Sequence, residues 1–336
     1  MGYGCGLRLA SHPKARRAPS RGLIQRRPRP RWFGHALVVA IALLVWGAAW
    51  AQPRLRVVTT TSDLRSLVEA VGGEQVDAVH LAAPEADVEN YQLRPRDLLR
   101  LRDAALVVRV GADFDLWFDA LLARAGRAEL QRGSALHVDA SRAVALLEVR
   151  GASAGPGDGH AHGAGNPHYW LDPANAEIVT ATLFEALVRI EPASAAYFEA
   201  RRNAFVNRLR AKGQEWDAAL APLQGQPMVA HHNTWAYFAR RFRLNFAGFI
   251  EPRPGVPPSP AHMARLRTLV RDRDVRIIVR QPHESARNAE FLAGAGPARV
   301  VVLAASVGAL PQLSDYIDLI DHNVRNLAAA FGAPAR

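Results

Sequence analysis

The sequence predicts an α/β protein of two lobes, each a small, mostly parallel sheet flanked by helices, with one long rigid helix bridging them. Three observations lead there. Short apolar runs alternate with stretches of helical spacing; a seven-and-four periodicity runs unbroken through the middle of the chain; and the alternation resumes beyond it.

Residues 55–60 read as a strand, and Leu64, Leu67, Val68 and Val71 follow at helical spacing until Gly72-Gly73 stops the element. Residues 105–110 form another short apolar run closed by Gly111, with Arg109 as the one charge inside it. Asp172-Pro173 opens a helix, aspartate as N-cap and proline in the first turn, and Ile178, Val179, Leu183, Leu187 and Ile190 continue it. Beyond Pro192, Phe198, Phe205, Leu209, Trp216 and Leu220 mark one long helix. At ~1.5 Å per residue its 28 or so residues reach ~40 Å, longer than one small lobe is wide, so it reads as a strut. Past it, residues 228–230, 275–279 and 299–304 are strand candidates, with helices from about Pro260 and about Asp315. The expected organisation is a removed leader at 1–51, a first lobe at 52–190, the linking helix at 191–222 and a second lobe at 223–336.

The leader is basic through Arg26-Arg27-Pro28-Arg29-Pro30-Arg31, apolar over 36–46, and ends in the small-residue pattern Ala49-Trp50-Ala51 before Gln52. That is a secretory signal with an A-x-A cleavage site, and its apolar run is too short to span a bilayer comfortably. The whole chain carries a net charge of +11, but nine basic residues and no acid precede Gln52, which leaves +2 for the remainder. Nucleic acid is excluded as a partner on that basis. Cys5, the only cysteine, leaves with the leader, so a metal would be held by imidazole and carboxylate rather than thiolate. With no cysteine at the cleavage point to carry a lipid, the expectation is a non-lipidated periplasmic protein.

Two histidine stations stand out, Asn166-Pro167-His168-Tyr169-Trp170 and His231-His232-Asn233-Thr234-Trp235, each at the edge of a predicted element. Imidazole is a preferred ligand for zinc and its neighbours, and far-separated ligands close a site between folded units. Residues 59–63, His231-His232 and Gln281-Pro282-His283 all lie beyond strand ends, where open parallel sheets gather their ligands. Adjacent histidines leaving a strand point to opposite faces, so at most one of His231 and His232 is expected in a shared site. His168 sits just ahead of a helix start, where the dipole disfavours a cation and Asp172 at the cap offsets it. The glycine-rich stretch carrying Asp158, His160 and His162 reads as a flexible connector that could also hold a metal weakly and pass it to His168. No H-E-x-x-H, G-x-S-x-G or phosphate-cradling glycine loop occurs, so binding is favoured over catalysis and the protein is not expected to be an enzyme.

The runs GNPHYWLDP at 165–173, HHNTWAYFARRF at 231–242, EPRPGVPPSP at 251–260 and Val57-Val58-Thr59-Thr60-Thr61 together resemble the zinc and manganese solute-binding proteins of ABC importers. The resemblance spans nearly all of the chain after the leader, in order. It implies two α/β lobes bridged by one helix with the metal in the cleft, a single-chain carrier of Zn(II), or Mn(II), and delivery to a permease in the inner membrane. His168 matches the family's histidine before the W-L-D-P turn, and His232 the ligand of the H-x-x-W-x-Y-F run. Glu89 stands where the family's earliest ligand is a histidine, and Ala305 where a carboxylate is expected after the final strand. The fourth ligand is then His283, water or Glu251. On this reading an open protein collects Zn(II) on His168 and Glu89 and closes on His232 and a fourth donor. The rival readings are a metal-dependent hydrolase of the envelope and a member of the same build that takes an organic or chelated-metal ligand.

Overall fold

The computed structural model describes residues 54–89, 91–148, 165–253 and 255–332; the expected leader and the residues Asp158, His160 and His162 lie outside the described residues. Two sheets of four parallel strands form the frame. β1 (Leu55–Thr59), β2 (Val76–His80), β3 (Leu106–Arg109) and β4 (His137–Asp139) pair in the order β2-β1-β3-β4. β5 (Pro227–Ala230), β6 (Asn245–Phe249), β7 (Ile277–Arg280) and β8 (Arg299–Val302) repeat that pattern as β6-β5-β7-β8. In each sheet the chain reverses its progress between the two central strands, so the loops leaving them diverge and open a crevice at their carboxyl ends.

Nine α-helices cover the sheets among the described residues: α1 (Ser62–Gly72), α2 (Pro95–Leu101), α3 (Trp117–Ala125), α4 (Pro173–Ile190), α5 (Ala195–Leu220), α6 (Ala236–Phe242), α7 (Pro260–Asp272), α8 (Ala286–Ala293) and α9 (Tyr316–Gly332). The Thr61 hydroxyl caps α1 by accepting from the Leu64 N–H, and the helix buries Leu64, Leu67, Val68 and Val71 as the spacing requires. Its end is set by Gly73 at φ +52°, where a side chain would also run into the Tyr197 hydroxyl. Asp172 caps α4 through the Ala174 N–H at 2.9 Å, with Pro173 in the first turn.

The strut is α5, 26 residues long, so it extends ~39 Å. Its buried stripe is the predicted one, Phe198, Phe205, Leu209, Trp216 and Leu220, and it packs on α1 and α4 on one side and on α9 on the other. Trp216 satisfies its indole N–H on Asp321 at 3.0 Å. One continuous apolar core therefore runs from Val57 and Leu183 through Phe205 and Trp216 to Tyr316 and Ile320. Two further cores lie under the outer helices: Val58, Phe118 and Leu122 beneath α2 and α3, and Val229, Leu266, Ile278 and Leu292 beneath α7 and α8. Among the described residues no helix is long and apolar enough to cross a membrane.

Arg109 does not weaken β3. It is fully buried, and its guanidinium is shared between Asp115, 3.0 Å from Nε, and Asp119, 2.7 Å from NH1, so the planar fork is paired where water cannot reach it. The last strand ends at Val302 rather than 304: Leu303 still donates to the Arg280 carbonyl at 2.9 Å, and beyond it the Ala304 backbone is held by the Asn323 side chain, which accepts its N–H at 2.9 Å and donates to its carbonyl at 2.7 Å.

Candidate metal centre

The loops beyond the carboxyl ends of both sheets enclose one cavity of about 280 Å³. Its wall includes Glu89 from the loop after β2, His168 and Trp170 ahead of α4, His231 and His232 after β5, Glu251 after β6 and His283 after β7. Glu89 is held in place from two sides: its N–H donates to Asp87 at 3.0 Å, and Trp117 donates to the adjacent Val88 carbonyl at 3.1 Å.

Glu89, His168 and His232 each offer a donor atom, and the three atoms lie within 4.8 Å of one another. His168 Nε2 is 3.3 Å from Glu89 Oε1, and the rings of His168 and His232 have centroids 5.9 Å apart. In a tetrahedral site with metal–ligand bonds of ~2.0–2.1 Å, neighbouring donors stand about 3.3 Å apart. The His168–Glu89 separation already equals that edge.

The outward nitrogens of both rings are occupied, which decides which nitrogen faces the cavity. Asn166 Oδ1 receives the His168 N–H at 3.0 Å and faces His168 Nδ1 at 3.1 Å, while Asn166 Nδ2 donates elsewhere. His168 Nδ1 therefore carries its hydrogen and Nε2 keeps the lone pair. Glu251 Oε2 takes the hydrogen of His232 Nδ1 at 2.5 Å, and Glu251 Oε1 accepts from the Gly255 N–H at 2.7 Å. A carboxylate on the far side of an imidazole raises its basicity as well as fixing its tautomer.

Burial disfavours a charged His232, but the Glu251 hydrogen bond and the fields of Glu89 and Glu251 outweigh it, so its pKa lies above the ordinary histidine value. Burial opposes ionisation of Glu251 too, yet the His232 hydrogen bond brings its pKa below the usual carboxylate value. Burial lowers the pKa of His231 and His283, and it pushes Glu284, on the same wall, up to about 7. Glu89, Asp87 and Glu251 bring three carboxyl groups to this wall, a donor set suited to a dication.

Around His168 the wall is aromatic. Phe114 meets it edge-on at 5.5 Å and Trp170 lies 5.4 Å away, with the Trp170 indole N–H donating to the Ala305 carbonyl at 2.8 Å. Ala305 therefore stands at the site, as the sequence indicated, but contributes a backbone oxygen that is already engaged. His283 lines the cavity without joining the three-donor group, and Glu251 stands behind His232 as its hydrogen-bond acceptor. His231 also reaches the wall while remaining outside the group; its backbone still bonds both neighbouring strands, its N–H donating to the Val279 carbonyl and its carbonyl accepting from Glu251, both at 2.8 Å. Sequence reasoning gave no role to Asn166, Asn233 or Glu148, whose side chains join behind the two histidines; Asn166 and Asn233 carried a signal, by their places in the GNPHYWLDP and HHNTWAYFARRF runs, and Glu148 carried none.

Comparison with known proteins gives the chain's relatives. The family model described as zinc-uptake complex component A, periplasmic (ZnuA), matches residues 57–330. The chain is 25% identical to the high-affinity zinc uptake system protein ZnuA of Brucella abortus, over 88% of this chain and 96% of that protein. Among solved structures it is similar to a ZnuA deletion mutant with zinc bound, with a TM-score of 0.71 at 23% identity over 84% of this chain and 99% of that one. It is also similar to the solute-binding protein FpvC of Pseudomonas aeruginosa in complex with Mn2+, with a TM-score of 0.69 at 21% identity over 82% and 98%. The two structural likenesses bear out the paired sheets bridged by a long helix.

Proposed function

The chain belongs to the family of periplasmic zinc-uptake complex components, and from that footing we propose that it captures a divalent transition-metal ion, zinc first and manganese second, on Glu89, His168 and His232. The family is a metal-binding transport component and not an enzyme. The observation that supports this site is the convergence of two ε-nitrogens and one carboxylate with a tetrahedral edge already in place. His283, on the same wall, or a water completes the set of four. The cargo then passes to the permease of an ABC importer in the inner membrane, carried by a single chain whose lobes span 52–190 and 223–336 about the helix of 191–222.

Calorimetric titration of zinc tests the ligands. His168→Ala and His232→Ala each weaken binding by an order of magnitude or more, and Glu89→Ala does so to a lesser degree. Unchanged affinity in both histidine variants removes the site. Export with cleavage after Ala51 and without lipid is part of the same proposal; N-terminal sequencing of the periplasmic form should read Gln52.

A second reading is favoured by one feature. The cavity's 280 Å³ far exceeds the ~10–15 Å³ that one water needs on the same measure, leaving room for an ion that arrives with a small organic chelator. Mass spectrometry of protein released natively from the periplasm separates the two: metal alone, or metal with a stoichiometric organic mass.

A further inference from the structure

Asn166 is fully buried and every polar group it has is engaged. Its Oδ1 serves His168; its Nδ2 donates to Glu148 Oε2 and to the Asn233 carbonyl, both at 3.0 Å; its N–H donates to the Leu147 carbonyl at 2.8 Å; and its carbonyl accepts the Tyr237 hydroxyl at 2.8 Å. Asn233 Nδ2 in turn donates to both oxygens of Glu148 at 3.1 Å. One carboxylate thus ties the residue two before His168 to the residue directly after His232. The two segments come from different halves of the fold, one ahead of α4 and the other beyond β5. Glu148 also holds φ at +56°, a left-handed conformation that a non-glycine residue seldom keeps unless its surroundings over-determine it.

We propose that Glu148 is a positioning residue that sets the separation of His168 and His232 through Asn166 and Asn233, and so sets how long the ion stays bound and in what geometry. This rests on the reading of those two histidines as ligands. A metal site tolerates misplacement of roughly 0.5 Å in its donors. Without the carboxylate, Asn233 Nδ2 and one hydrogen of Asn166 Nδ2 lose their acceptor, and the two histidine-bearing segments are free to drift apart by more than that.

The test uses the full-length exported protein with Glu148→Ala, Glu148→Gln and Asn233→Ala. Zinc release is timed by transfer to excess chromogenic chelator, the visible spectrum of the Co(II)-loaded protein reports coordination geometry, and the melting midpoint of the metal-free protein reports the fold. Release is expected to be about tenfold faster in Glu148→Ala, with an altered Co(II) band and a metal-free midpoint lowered only modestly, as two buried amides lose an acceptor while the metal-free protein stays folded. Glu148→Gln, which keeps one acceptor oxygen, falls between. Asn233→Ala gives a similar acceleration and the double variant adds little to it, as expected of two partners in one link. Wild-type release and an unaltered Co(II) spectrum in Glu148→Ala overturn the proposal, as do effects of the two single variants that simply sum. If His168→Ala and His232→Ala retain wild-type affinity, it is the ligand reading that fails, and the proposal with it.

Discussion

Replacing Glu251 by glutamine keeps an oxygen for the His232 Nδ1 hydrogen but removes the charge behind it. A hydrogen bond to a charged group contributes ~1.5–3 kcal/mol against ~1 for a neutral one, so the variant loses roughly 1 kcal/mol of support for the metal-bound imidazole, about fivefold in affinity. The Glu251 carboxylate is also what lifts the His232 pKa against the effect of burial. In the native protein protons therefore compete with the ion for Nε2 from above the ordinary histidine value of 6.5 downward. In Glu251→Gln that competition starts at a lower pH. The affinity gap between the two proteins is then widest near pH 8 and narrows toward pH 6. Zinc titrations against a competing chelator at pH 8, 7 and 6 measure it. Equal affinities at pH 8, or a gap that widens on acidification, would refute the role assigned to Glu251.

Two stability predictions concern buried charges away from the donors. Asp63, fully buried, accepts the Val307 N–H at 2.9 Å, and burial raises its pKa from 3.8 to about 7. The unfolded chain loses this proton near 3.8 while the folded protein keeps it to about 7, so stability is lost as pH rises across that window. Asp63→Asn should be neutral near pH 4 and stabilising by about 1–3 kcal/mol at pH 7.5; urea unfolding at both pH values checks the crossover, and a variant less stable at pH 7.5 contradicts it. Arg109→Ala leaves Asp115 charged and fully buried with its partner gone, at an expected cost of about 3–5 kcal/mol; a loss below 1 kcal/mol in the same assay would mean the pair is dispensable.

What the sequence disclosed follows from burial. β1, β3, β5 and β7 are central strands with both faces covered, so they read as apolar runs. The strands it hid are edges or nearly so: β2 carries Asp77 and His80, β6 opens with exposed Asn245 and contains Gly248, and β4 is three residues long. Such strands need little apolar character, and no period marks them. α4 and α5 were legible because Asp172-Pro173 and the seven-and-four stripe state their own boundaries. At the site, His168, His232 and Glu89 were visible through the runs that contain them. Their supports were not, because Glu148 and Asn233 are 85 residues apart and a hydrogen bond between two polar side chains leaves no periodicity. The run at 105–110 was read as a strand despite the charge of Arg109, and what accommodates that charge was hidden for a related reason: its partner Asp115 belongs to the following turn, beyond the strand itself.

The uninterrupted interior that threads α5 has a mechanical outcome. Swinging the halves apart like a clam shell would wet Phe205, Trp216 and their neighbours, at ~1.5–3 kcal/mol for each large side chain exposed. The loops that carry Glu89 and His283 lie at the rim of the cavity, outside that core. The core thereby keeps the two sheets at a fixed spacing, and exchange at the cavity falls to its rim rather than to its frame.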